Sequence, residues 1–204
     1  PIALQNITEE EVAVTDLLLK MLSQPKKSLA IVAAECSAKL LFTGKMHDAN
    51  IVAHLVTMYF DKNLTFDADE EDDAVKEVGS PTRLAQLLTI FFPAYSMGSA
   101  IGRDTLTACI KPLLGIVHNK MSMKVKGRKN PALPIAKMAE YVCQTIENGE
   151  DAAAKSSNDD DGNETDLKDA SPVLNVAVAI CYFLCDENEN LTISYLRSLC
   201  KILS

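Results

Sequence analysis

The sequence has no tryptophan, and aromatic residues make up only 5% of it. A core with so few rings has to be filled by aliphatic and small side chains, as where helix packs on helix. Glycine and proline number eight each in 204 residues, too few for the many turns of an all-β fold. No apolar run approaches the roughly 20 residues needed to cross a bilayer, so a membrane partner is not expected. A basic stretch leading into an apolar signal core is also missing, and the chain opens at Pro1 without methionine. The reading is an excised piece of a longer protein, with any targeting signal outside it.

Catalytic and metal-binding signatures are missing as well. His47, His54 and His118 have no cysteine or serine partner in a recognisable motif. Asp159, Asp161 and Gly162 superficially suit a calcium loop, but that register puts Ser157 at the first position and Lys168 where a bidentate glutamate is required. Cys181 and Cys185 share a helix face without a second ligand pair nearby. The expectation is therefore no enzyme, no metal, no cofactor and no small-molecule substrate.

What is present is aliphatic and helical. Hydrophobic residues reach 48%, and 204 residues can bury a sizeable core. Cys36, Cys109, Cys143, Cys181, Cys185 and Cys200 all fall in apolar helical patterns, which suits buried free thiols in a reducing compartment. Asn-x-Thr sequons occur at Asn6, Asn63, Asn163 and Asn190, but Thr8 and Thr192 read better as helix N-caps than as parts of glycan sites. The net charge of −8 is unevenly spread. Residues 67–77 and 148–169 each carry a net −6, which leaves the remaining helical body at +4. The acid is concentrated in two loops and the body is mildly basic.

Along the chain, Thr8-Glu9-Glu10-Glu11 forms a capping box, and Val12, Leu17, Leu18, Met21 and Leu22 follow at near-helical spacing to Pro25. Ser28 can cap a second helix through Phe42, with Gly44 as its left-handed exit. Asp48 opens a third helix to about Phe60. After the acidic loop 61–79, Ser80-Pro81 starts a helix that Pro93 ends or kinks. Asp104 caps the next, with Leu106, Cys109, Ile110, Leu113, Leu114 and Val117 inward and a kink at Pro112. Pro134 opens a helix to about Glu147. Residues 148–170 read as a disordered acidic linker, and a last helix pair spans about 172–186 and 192–203. The fold class is all-α, an α-solenoid of HEAT-like antiparallel helix pairs. Pairs at 8–43, 48–96, 102–147 and 172–203 fit repeats of about 40–47 residues, and each must stack on its neighbour to bury its apolar face. The expected domains are helical repeats over 1–147, the linker 148–170, and a terminal pair over 171–204. A compact all-α bundle is the plain alternative.

Two blocks carry a family resemblance. The first is Ala34-Glu35-Cys36-Ser37-Ala38-Lys39-Leu40-Leu41-Phe42-Thr43-Gly44. The second has Leu84, Gln86 and Leu87 before Phe91-Phe92-Pro93-Ala94-Tyr95. Between them lies a helix ending in Tyr59-Phe60, and an aliphatic helix at 106–117 follows. This order resembles the C-terminal helical region of the condensin G subunit (condensin subunit 3), over residues 28–118 and weakly beyond 130. The acidic insertion at 67–77 departs from that pattern. The resemblance implies a non-enzymatic HEAT-repeat scaffold in mitotic chromosome condensation. It implies binding to the kleisin subunit of condensin and, through it, to the SMC ATPase subunits, with double-stranded DNA held in a basic groove. It also implies a place in the nucleus and on chromosomes, and in the cytoplasm for part of the cell cycle. Phe91 and Phe92 read as repeat core, with direct kleisin contact as the other possibility; no kleisin-binding residue is assigned.

The basic tract 118–129 is the physical candidate for DNA. It holds His118, Lys120, Lys124, Lys126, Arg128 and Lys129 and no acid, and it reads as an exposed inter-helix loop. Such a loop can neutralise phosphates without reading sequence. It lacks interleaved aromatics for stacking on single strands. A solvated loop, or one paired with the acidic segments, is the alternative. Lys20, Lys26 and Lys27 form a weaker second cluster. The acidic loop 67–77 is either simply solvated, or repels nucleic acid from one face, or binds a basic segment. Ser156 and Ser157 have Asp159 and Asp160 three residues downstream, which suits phosphorylation by an acid-directed kinase. The competing functional class is an adaptor or transport solenoid with no nucleic-acid contact.

Overall fold

The computed structural model describes residues 9–24, 26–61, 80–122, 133–157 and 172–185. These residues form eight α-helices with no strand among them: α1 Glu9–Leu22, α2 Lys27–Phe42, α3 Ala49–Phe60, α4 Pro81–Gly98, α5 Ala100–Ala108, α6 Ile110–Ser122, α7 Ile135–Ser157 and α8 Pro172–Cys185.

Packing sorts the helices into two layers. In one, α1 meets α3, α3 packs on α6, and α6 packs on α8. In the other, α2 packs on α4 and α4 on α7. Each repeat contributes one helix to each layer, as in α1–α2, α3–α4 and α6–α7, with α5 wedged between α4, α3 and α7. This is an all-α, solenoid-like stack; helices stand at the first three expected pairs, 8–43, 48–96 and 102–147, and the second helix of the fourth lies outside the described residues. α2 shows how tightly the layers close. Ala30, Ile31, Ala33, Ala34, Glu35, Ser37, Ala38 and Leu41 are all buried, and the alanine and serine side chains among them leave room for the neighbouring helices.

Local signals account for several helix ends. At the end of α2, Gly44 adopts φ 68°. Lys45 N–H donates to the Leu40 carbonyl at 3.0 Å and Gly44 N–H to the Leu41 carbonyl at 3.1 Å. These are the two bonds of a Schellman stop, which the glycine permits. Asp48 caps α3 by accepting from Ile51 N at 2.9 Å. Pro81 opens α4, although Ser80 makes no side-chain cap bond. The single-residue break at Cys109 between α5 and α6 lies three residues before Pro112. The proline ring clashes with a helical carbonyl at Ala108, which accounts for the break.

Several expectations need correction. α2 starts at Lys27 with Lys26 as its cap residue, not at Ser28, because the Lys26 carbonyl already accepts Ala30 N–H at 3.2 Å. α5 is capped by Ser99, whose hydroxyl accepts from Gly102 N at 2.9 Å; Asp104 lies inside the helix. Pro93 does not end α4, which continues to Gly98. An interior proline costs about 3 kcal/mol, offset here by the burial of Tyr95 and Ser96 beyond it. α7 runs to Ser157, ten residues past the expected end at Glu147. Its extension is held down by buried Gly149. A Cβ at that position would collide with Ser96 Oγ of α4. Cys36 and Cys181 are exposed, whereas Cys109 and Cys143 are buried free thiols. The Thr8 capping box, the acidic segment 67–77, the linker from 158 onward and the helix expected at 192–203 lie outside the described residues.

Candidate partner groove and basic tract

Three elements surround the start of the basic tract. α6 carries His118 and Lys120 in its last two turns, so the first part of the tract is helix rather than loop. His118 is buried, with its ring edge-on to Phe183 of α8 at 6.4 Å; it belongs to the core and not to an exposed cationic surface. Lys120 Nζ stands 3.6 Å from Asp61 Oδ2, at the end of α3. The same ammonium influences His54 on α3. Burial chiefly, and Lys120 next, push the His54 pKa below its ordinary 6.5, while Asp48 pulls it upward. Of the five candidate phosphate contacts only Lys120 is described, and it sits in this α3–α6 cluster. Lys124, Lys126, Arg128 and Lys129 lie outside the described residues. Lys20 falls in the last turn of α1, with Lys26 and Lys27 at the start of α2, so the weaker cluster gathers around the α1–α2 turn. Ser156 and Ser157 are the last two residues of α7.

A second site was not anticipated from the sequence. α2 and α4 run the same way, since Arg83 near the start of α4 pairs with Glu35 at 3.5 Å while later residues of both helices share one cavity. That cavity, about 380 Å³, is lined by Ala38, Lys39, Phe42 and Thr43 from α2 and by Leu87, Ile90, Phe91 and Ala94 from α4. Phe42 and Ile90 stand 60% and 71% exposed on its walls, whereas Phe91 is 6% exposed.

Beneath the groove lies a rigid aromatic layer. Phe91 stacks on Tyr95 at 5.2 Å and 19°, and meets Phe92 edge-on at 5.2 Å. Phe92 in turn contacts Tyr59 and Tyr141 at 5.9 and 5.8 Å, so α3, α4 and α7 are joined by one cluster of rings. Tyr95 Oη lies 3.4 Å from His47 Nδ1, which ties the α2–α3 turn to the same layer. Burial raises the Tyr95 pKa and pushes Tyr141 up to about 12, so both phenols stay neutral. The block Phe91-Phe92-Pro93-Ala94-Tyr95 thus does two jobs. Phe92 is wholly core, while buried Phe91 and half-buried Ala94 line the groove. Periodicity does not reveal this, because an apolar residue such as Phe42 or Ile90 on a helix carries no mark of whether a neighbour covers it. Their exposure depends on how far apart α2 and α4 sit.

The buried thiols offer no reactive centre. Burial pushes Cys109 to about 12 and Cys143 to about 11, far from the low pKa of a nucleophilic cysteine. Among the described residues no single helix is long and apolar enough to cross a membrane.

The chain matches the family model described as nuclear condensing complex subunits, C-terminal domain, over residues 2–204. It belongs to this family. No curated protein matches the chain. Family membership makes this a condensin subunit region and places it among components of a nuclear complex. The match also spans the segments at 67–77 and 148–170, so the acid-rich stretches lie within the family domain rather than beside it.

Proposed function

We propose that this chain is a non-enzymatic scaffold of condensin that holds the kleisin subunit and, with it, double-stranded DNA during mitotic chromosome condensation. The observation that carries the reading is the family match over 2–204 on a two-layer helical stack whose polar groups form caps and interhelical ties. A stack of this kind works as a stiff surface, because each repeat is fixed by its neighbours. Kleisin would connect the chain to the SMC ATPase subunits, which supply the chemistry. The DNA contribution comes from the basic tract, chiefly Lys124, Lys126, Arg128 and Lys129. Lys120 contributes less, because its ammonium already faces Asp61. Acid in the segment 148–169 and phosphates on Ser156 or Ser157 would compete with DNA for that tract. The working location is the nucleus and the chromosome, with a cytoplasmic phase in part of the cell cycle.

Co-expression with the kleisin subunit tests the scaffold. A stable one-to-one complex through size exclusion supports the reading. Kleisin that elutes free of the chain at micromolar concentration contradicts it and favours an adaptor-type solenoid.

A further inference from the structure

We propose that the α2–α4 groove seats a peptide segment of a partner protein that carries a bulky apolar anchor flanked by carboxylates. The inference deepens the partner-holding reading above and rests on it, by naming the chemistry of the segment held.

The cavity supplies the anchor site. Single exposed apolar residues need no explanation, but Phe42 and Ile90 lie 60% and 71% exposed on the two walls of one concave apolar cavity. That arrangement marks a binding surface. A volume of about 380 Å³ is at the small end for ligand sites and suits one or two large side chains. Its floor is ready-made, because Phe91 is held by its stack on Tyr95, so little ordering opposes binding.

Charge selects the flanks. The helices lining the groove carry Lys27, Lys39 and Arg83, and one carboxylate, Glu35. Glu35 is buried and faces Arg83 at 3.5 Å. Lys39 is exposed on the groove wall, and exposed Lys45 follows the Gly44 turn. Asp48, the nearest acid beyond that turn, is committed to Ile51 N at 2.9 Å. With Arg83 and Glu35 facing each other and Lys27 at the far end of α2, the charges beside the groove are the cations Lys39 and Lys45. Acidic flanks would be steered to them and basic ones repelled. A nucleic-acid backbone meets the cations but offers nothing to fill an apolar cavity, whereas an acid-flanked Leu or Phe segment satisfies both.

A phage-displayed random peptide library panned against the chain tests this. Selected peptides should share one or two aromatic or aliphatic positions flanked by Asp or Glu. They should bind Ile90→Glu and Phe42→Ser variants at least about tenfold more weakly, and Lys39→Glu more weakly with a flatter salt dependence. Both wall residues are exposed, so the variants should keep the wild-type melting curve, and that is checked first. No enriched peptide, no acidic enrichment, or affinities unchanged in Ile90→Glu and Phe42→Ser would overturn the proposal. Kleisin co-purification with wild type and Ile90→Glu separates the two claims. Kleisin retained equally by both, with no peptide that needs the groove, removes the groove and leaves the scaffold reading. Peptides that need the groove while kleisin does not bind at all remove the kleisin and leave the groove.

Discussion

Gly149 of α7 lies directly against Ser96 of α4, so closely that a Cβ at 149 would collide with the serine hydroxyl and with its backbone carbonyl. The contact clamps the acid-rich end of α7 to the layer that carries the groove. Gly149→Ala should destabilise the chain by about 1–3 kcal/mol through overpacking, measured by urea denaturation. Alanine is favoured over glycine in a helix by about 1 kcal/mol, so a loss of stability in spite of that preference isolates the clash. Unchanged or increased stability would show that α7 does not press on α4 at this point.

Phe92 and Ile90 are two residues apart and should behave oppositely. Phe92 is fully buried and Ile90 is 71% exposed. Phe92→Ala should cost about 3–5 kcal/mol, and Ile90→Ala should stay within about 0.5 kcal/mol. Thermal melts of the two variants check this, and similar losses would contradict the placement of the groove wall.

His54 gives stability a pH dependence of predictable sign. In the unfolded chain it takes up its proton around 6.5, while in the fold its pKa is lowered, by burial first and by Lys120 next. Between those values the unfolded state binds more protons. The His54 contribution is therefore complete above pH 6.5 and is lost as pH falls through the lower folded value. Denaturation midpoints at a series of pH values from 7 down to 5 should decline, and His54→Gln should flatten the decline. In an NMR titration, Lys120→Gln should move the His54 pKa upward; a fixed value would contradict the Lys120 influence.

The thiols should sort by exposure. Cys36 and Cys181 are exposed and Cys109 and Cys143 are buried, the latter pair with pKa values near 12 and 11. Alkylation of the native chain at neutral pH, read by peptide mass mapping, should label Cys36 and Cys181 and spare Cys109 and Cys143 until denaturant is added. Early labelling of Cys109 would contradict its burial between the layers.

The fold was largely legible because its signals are local. Asp48 and Gly44 fix helix ends through bonds within a few residues and Pro81 through its preset φ, and the spacing of Leu106, Cys109, Ile110, Leu113, Leu114 and Val117 marks a face that is indeed buried. Reading failed where tertiary contact outweighs local preference. Pro93 is an ordinary helix stop, yet Tyr95 and Ser96 beyond it are buried and carry α4 onward. Composition marked 148–157 as linker, but Ile146 and Gly149 share the helical spacing that docks α7 on α4. Of the candidate DNA contacts, charge density identified the tract, but only Lys120 is among the described residues. Sequence could not foresee that its ammonium would face Asp61, 59 positions earlier. The groove was invisible for a different reason: an apolar residue at helical spacing looks the same whether a neighbouring helix covers it or stands just too far away.

The most direct test of the central claim is fluorescence anisotropy of labelled duplex DNA, titrated with the chain in the presence and absence of kleisin across a salt series. Wild type is compared with a variant carrying Glu in place of Lys124, Lys126, Arg128 and Lys129. The account predicts binding that weakens steeply with salt, is enhanced by kleisin, and is lost in the variant. Binding that the variant retains at every salt concentration, or no binding by wild type with kleisin at low salt, would contradict it.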